Sequence, residues 1–423
     1  MSGAAVSSAG SPAHSGTKIK LFVMMVLEFF IWGAWLPLVF PYMGNIGFTE
    51  GQMALVGSAF AISSIVAIFF SNEFADRRFS AERFMSASHL IGGLALLGLY
   101  FTRSFVPFFV LMLVHALVYV PTISVSNSLA FANLKDAQRE FGIVRMGGTI
   151  GWILASWPLY FLLKGASGDD LIRAQSAIFL VAGVASLALA GFSLTLPHTP
   201  PKTAVAGEDK LAWVKALKLL AVPHIMVLFL VTFADSTIHN GYFVMAGKFL
   251  GDIGIAPENI MPVMSLGQIA EIVTMAALGM VLKKLGWKTT MVIGILGHAA
   301  RFAVFAFMSQ SIPVIVLVQV LHGICYAFFF ATLYIYIDAA FPHDIRTSAQ
   351  GLFNLLILGI GDLAAKWIFI PLQGHYTRGG TVDYQSLFLV PVGMALAAAI
   401  LLALYFHPPA EAPSEVGQPA TAH

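Results

Sequence analysis

Charge is scarce in this chain. Only 10% of its 423 residues are Asp, Glu, Lys or Arg, against roughly a quarter in a soluble domain, so they could not cover a globular surface. The signs nearly cancel, leaving a formal +2, and the basic residues are scattered through loops. That distribution gives no patch for nucleic acid. A single cysteine, Cys325, excludes an intramolecular disulfide. Nothing matches HExxH, GxSxG or a Walker loop, so neither a metal, a cofactor nor enzymatic chemistry is expected. The opening MSGAAVSSAGSPAHSGT is small and polar and lacks the apolar core of a cleaved signal.

What the chain has in excess is apolar length. Hydrophobic residues make up 58% of it, and about 20 in a row cross a bilayer. Such runs fall near 19–43, 52–71, 84–102, 106–132, 142–164, 172–196, 219–245, 259–283, 288–308, 312–339, 345–371 and 385–406. The expected fold is an all-α membrane protein with twelve transmembrane helices in two six-helix bundles, 19–196 and 219–406. A cytoplasmic loop, 197–218, separates the bundles, and disordered cytoplasmic tails, 1–18 and 407–423, flank them. Lys18 and Lys20, Arg77, Arg78 and Arg83, Lys135 and Arg139, Lys210 to Lys218 and Lys283 to Lys288 fall on one side. Only a few basic residues, such as Arg103 and Arg173, fall on the other. By the positive-inside rule both termini are then cytoplasmic, as an even number of spans also requires. The lipid of the cell's inner membrane is the expected surrounding, and a monomer the expected state.

Against this background, ionisable residues inside spans stand out, because charge in hydrocarbon is costly and persists mainly for function. Glu28, Arg145, Glu271 and Arg301 are four of them. Helical spacing sorts the polar and aromatic residues into stripes: Glu28, Trp32 and Trp35; Arg145, Thr149 and Trp152; Asp235, His239, Asn240 and Phe243; Gln268 and Glu271; His322 and Tyr326. Aromatic faces beside amides and carboxylates suit a flat polar ligand, whose ring stacks while its edges hydrogen-bond. A nucleobase with its ribose fits, and so does a sugar. Simpler readings stand beside these. Trp32 and Trp35 also suit packing, His115 and His298 read as bundle histidines, and Arg145 suits a snorkelling helix end. Asp362 and Lys366, four apart, read as a neutralising internal pair.

After the second run comes NEFADRRFSAERF, and GMVLKKLGWKTTM occupies the matching place in the second half. The first, with Asp76 and Arg77, resembles the GxxxDR loop of the major facilitator superfamily. From about residue 24 to 355 the chain further resembles the nucleoside:proton symporters of that superfamily, through EFFIWGAWLP, YVPTISVSNSLAF, VRMGGTIGW, SLGQIAEI, LHGICYAFFF and DIRTSAQGLF. The resemblance implies uptake of nucleosides with protons by alternating access, and a substrate site at Arg145, Thr149, Trp152, Asn240, Phe243, Gln268, Glu271, His322 and Tyr326. It also marks a departure: where the family carries an acid after the aromatic of CYDFFF, this chain has Ala327. Glu271 and Glu28 are then the candidates for proton coupling. The alternatives are a transporter of another small polar solute or a sensor that binds without turnover.

Overall fold

The computed structural model describes residues 13–67, 79–201, 218–341 and 343–407. The first half holds α1 (Ala13–Asn45), α2 (Glu50–Val66), α3 (Ala81–Phe101), α4 (Phe105–Asn133), α5 (Ala137–Leu154), α6 (Ser156–Leu163) and α7 (Gly168–Ser193). The second holds α8 (Pro223–Asp252), α9 (Pro257–Phe307), α10 (Ile312–Val318), α11 (Leu321–Cys325), α12 (Thr332–Ala340), α13 (His343–Asn354), α14 (Gly361–His375) and α15 (Tyr384–Tyr405). Among the described residues nine helical stretches are long and apolar enough to cross a membrane. One of these, α9, is 51 residues long and turns at Gly286, whose φ of 70° only glycine adopts without strain. It therefore makes two crossings. With the shorter apolar α2 and with α8, whose length of 30 residues suffices to span, the count reaches the twelve expected.

Each half is its own bundle. In the first, α3 packs on α4 and α7, and α1 on α5 and α7; in the second, α8 packs on α14 and α15, and α9 on α11 and α15. The halves meet where α1 touches α8, α2 touches α14, and α5 and α6 touch α9. Small residues set the closest approaches. A Cβ on Gly147 would sit 2.7 Å from the Phe22 carbonyl oxygen, and one on Gly151 would overlap that of Val26, so α1 and α5 lie backbone to backbone.

The boundaries differ from the sequence expectation in instructive ways. α1 begins at Ala13, so the expected tail 1–18 already contains helix. The fifth crossing breaks between α5 and α6, where Pro158 cannot donate to the carbonyl of Leu154. The tenth crossing is three pieces. Gln319, His322 and Gly323 donate backbone bonds three residues back, and the tightened turn brings Gly323 against the backbone of Ala270 and Glu271. It then runs into a π-helical turn, Tyr326–Ala331. A second π turn, Leu355–Ile360, joins α13 to α14. π turns widen the backbone ladder and concentrate at functional sites. Both lie in the second bundle.

Candidate functional site

Between the bundles lies a narrow cavity of about 30 Å³, room for a water molecule or two. Trp32 and Phe60 line it from the first half, Asn240, Phe243, Asp362 and Lys366 from the second. Trp32 stacks on Phe60 at 4.7 Å and meets the edge of Trp152 at 5.5 Å. Trp152 in turn meets Phe243 edge to face at 5.8 Å, which closes an aromatic bridge from α5 to α8. Lys366 pairs with Asp362 on α14, the self-neutralising arrangement their spacing suggests. Next to it Trp367 donates its indole N–H to Ser58 across the halves, at 3.0 Å. A ligand the size of a nucleoside enters this closed gap only when the bundles part.

Three crossings converge beside the bridge. Arg145 lays its guanidinium 4.1 Å over the ring of Phe29, with Thr149 half-buried one turn further along α5. Its charge is felt by Glu271 on α9 and by Tyr326 beyond α11. Arg145, Glu271 and Tyr326 are all partly accessible. Among the described residues the Glu271 carboxylate takes no hydrogen bond, so both its oxygens are free to accept from a ligand. Asn240 is less free. Its amide nitrogen is held by the carbonyls of Ser236 at 2.9 Å and Ile357 at 3.1 Å, the latter exposed by the π turn, leaving the side-chain oxygen for other partners.

Behind Glu271 the second bundle encloses a fixed cation. Arg301 is 0% exposed and stacks 4.1 Å over Tyr242. Its Nη1 reaches His322 Nδ1 at 2.8 Å and its Nη2 reaches His298 Nδ1 at 3.2 Å. A guanidinium only donates, so both imidazoles must accept at Nδ1, and each neutral ring then carries its hydrogen on Nε2. For His298 that hydrogen points toward Asp235, 3.7 Å away, which supplies the counter-charge. For His322 it points at the Gln268 amide, 3.3 Å away. The atom placed there is the amide Nε2; because an N–H must meet an oxygen, the amide is assigned the turned-over orientation, its oxygen toward His322 and its NH2 toward whatever enters. That orientation also satisfies a Gln268 oxygen otherwise buried without a partner. His239 stacks on His322 at 5.0 Å and completes the cluster. Gln268 is thereby offered as a donor and Glu271, three residues on, as an acceptor.

Glu28 belongs elsewhere. Although Trp32 and Trp35, one and two turns along its stripe, line the cavity, Glu28 turns into the first bundle and is 0% exposed. Its Oε2 lies 2.8 Å from His89 Nε2 on α3. Its Oε1 accepts from Thr122 on α4 at 2.7 Å, and its backbone carbonyl accepts from Tyr119 at 2.6 Å. Ser186 on α7 bonds the far side of His89. His89 is missing from the residues picked out by sequence, although a histidine within the apolar run SASHLIGGLALL is a visible signal. His115 packs on Tyr119 at 5.1 Å, the bundle role expected of it. Asp76 and Arg77 lie outside the described residues.

Sequence and structure comparisons place these features in a lineage. Residues 15–411 match the model of a family described as nucleoside H+ symporter. Over 401 residues the chain is 33% identical to a putative nucleoside transporter, YegT, of Escherichia coli, covering 92% of this chain and 94% of that one. It is 29% identical to the xanthosine permease of the same organism, covering 90% and 94%. In three dimensions it matches the crystal structure of the nucleoside transporter NupG with a TM-score of 0.80 at 23% identity, covering 92% of this chain and 99% of that one. A bacterial homologue of the lysosomal transporter Spinster, inward-facing and unoccupied, matches at a TM-score of 0.72 and 16% identity, covering 94% and 98%. With a family model spanning nearly its whole length and a relative at this identity, the chain is a multi-pass membrane transporter of the nucleoside H+ symporter family.

Proposed function

We propose that this protein takes up nucleosides across the cell's inner membrane together with protons, as a monomer with both termini in the cytoplasm. The two bundles rock about the central gap, so that the site faces each side in turn. The observation that carries the reading is the meeting of an aromatic bridge with a donor and acceptor pair. Trp152 and Phe243 supply faces for a base. Gln268 and Glu271 supply an amide and a carboxylate on one face of α9, and Arg145, Thr149, His322 and Tyr326 close around them. Asn240 contributes its remaining oxygen. A flat, edge-polar solute with hydroxyls uses every one of these groups, whereas an apolar solute would leave buried polar groups unpaired at a cost of about 1–3 kcal/mol each. Glu271 and Glu28 are the carboxylates available for coupling, since Ala327 fills the position where the family's acid is expected.

The test is uptake of radiolabelled uridine or adenosine into cells lacking their own nucleoside permeases, with and without a protonophore. Accumulation that collapses with the protonophore is expected. Cells expressing the protein that take up no more nucleoside than the empty strain would sink the proposal. Accumulation indifferent to pH and protonophore would reduce it to facilitated diffusion.

A further inference from the structure

Resting on the symport reading above, one buried pair in the first bundle is placed to hold the coupled proton. Ser186 has one hydroxyl hydrogen, and it is spent on the His89 backbone carbonyl at 2.9 Å. With that hydrogen on the nearer carbonyl, the Ser186 oxygen, 3.3 Å from His89 Nδ1, accepts there and Nδ1 carries a hydrogen. That leaves the 2.8 Å contact between His89 Nε2 and Glu28 Oε2. If the imidazole is neutral, Nε2 is a bare lone pair and Glu28 must donate as a carboxylic acid. If Glu28 is ionised, His89 must be imidazolium and donate from Nε2. Either way one proton lies between them, and the pair is neutral.

Without that proton a carboxylate oxygen would face a nitrogen lone pair at hydrogen-bond distance inside a dry bundle, where nothing screens the repulsion. Thr122 suits both arrangements. Its hydroxyl lies 2.7 Å from Glu28 Oε1 and 2.5 Å from the Tyr119 carbonyl oxygen, with one hydrogen for two acceptors. The shared proton lies on the Oε2 side, so in either arrangement Oε1 has no hydrogen and Thr122 can donate to it or to the Tyr119 carbonyl. The other titratable or charged groups facing the pair are Tyr119, held by its bond to the Glu28 carbonyl, His115, bonded to the Gly92 carbonyl at 3.3 Å, and Arg145, whose charge reaches Tyr119. From α7 comes the neutral Ser186 and from α2 the ring of Phe60, 6.4 Å from that of Tyr119.

We infer that Glu28 and His89 together form the protonation site of this transporter, inside the first bundle and apart from the substrate residues of the second. The contact between Glu28 on α1 and His89 on α3 is the proton-loaded arrangement. Release of the proton, from the shared O–H or N–H to water on the side to which the bundle has opened, obliges the two helices to separate or the imidazole to turn. Reloading from the opposite side restores the contact.

The experiment uses the full chain in proteoliposomes, with two readouts: uridine accumulation driven by a pH gradient, and exchange of labelled for unlabelled uridine without a gradient. In Glu28→Gln the amide can donate to His89 and accept from Thr122, imitating the loaded state permanently. Exchange is expected to persist and gradient-driven accumulation to be lost. His89→Gln, in which the carboxylate no longer needs a shared proton, is expected to lose accumulation likewise, and it decides the matter should Glu28→Gln fail to fold. Gradient-driven accumulation surviving in a folded variant overturns the assignment. So does loss of exchange in both, which would make the pair structural. A wild-type protein that exchanges but never accumulates overturns the symport reading itself, a result distinct from a coupled wild type with a coupled Glu28→Gln.

Discussion

Histidine serves opposite ends in the two bundles, and the partner decides which. In the first, His89 lies between a serine that donates to a backbone carbonyl and a carboxylate, so its contact with Glu28 holds a hydrogen, the one assigned above to coupling. In the second, His298 and His322 both face Arg301, which can only donate, so neither ring can take up a second hydrogen while that contact lasts. One half holds a movable charge and the other a permanent one. The comparison teaches that a buried histidine in a membrane span is no proton carrier by type. It becomes one only where its neighbours lack hydrogens.

The hardest blow to this division is Arg301→Met. It leaves Asp235 buried without its cation and frees both imidazoles, and breaking a buried charge network from one side typically costs about 3–5 kcal/mol. Thermal unfolding in detergent should show a large fall in midpoint, with partial recovery in Arg301→Met combined with Asp235→Asn. An unchanged midpoint would mean that the second bundle is not held by its fixed charge. Lysine at 301 should rescue poorly, since an ammonium cannot reach two ring nitrogens with a planar fork.

Glu271→Gln tests whether substrate and proton are kept apart. Loss of a charged hydrogen bond is worth about 1.5–3 kcal/mol, so calorimetry should show uridine binding weakened roughly 10- to 150-fold. The pH dependence of the remaining uptake should keep its wild-type shape. A flattened profile would move the coupling to α9 and erase the distinction between halves. Arg145→Ala should weaken binding by a smaller factor, leaving the midpoint of unfolding in place. Normal binding in that variant would favour a helix-end role for Arg145.

A gentler perturbation sharpens the contrast from the other side. Ala327 is fully buried in the π turn behind Tyr326, and Ala327→Asp adds a further titratable group to the bundle that holds the fixed cation and the two locked rings. Initial uptake rates measured against pH should gain a second inflection, whereas an unaltered profile would show the position to be insulated from transport. The smallest effect is expected from Asn240→Ala. It removes the amide bonds to the Ser236 and Ile357 carbonyls and should cost about 1 kcal/mol of stability, read as a shift in midpoint of a few degrees at most.

Most of the architecture was legible because hydrocarbon leaves so little choice: a chain this apolar must satisfy its backbone in helices. Helical periodicity likewise placed Gln268 beside Glu271, and Trp152 two turns from Arg145, without any structure. What could not be read were relations between spans and departures from regular helix. Nothing in the sequence tells Glu28 that its partner is His89, 61 residues away, because burial on the inside of a bundle has the same period as burial at the interface. The role of His322 depended on Arg301, and their meeting depended on the broken tenth crossing that brings Gly323 onto α9. The π turns leave no period of their own, so the diversion of the Asn240 amide to the Ile357 carbonyl was invisible.

The glycine seam between α1 and α5 has a mechanical meaning. With Gly147 and Gly151 seated against the carbonyls of Phe22 and Val26, and Gly33 pressed on Trp152, the two helices cannot slide past one another without a clash of backbones, and they travel as a single rod. Glu28 is mounted on one side of that rod, and Arg145, Thr149 and Trp152 on the other. A displacement at the first is delivered to the second without slack, as a key turns both ends of its own shaft.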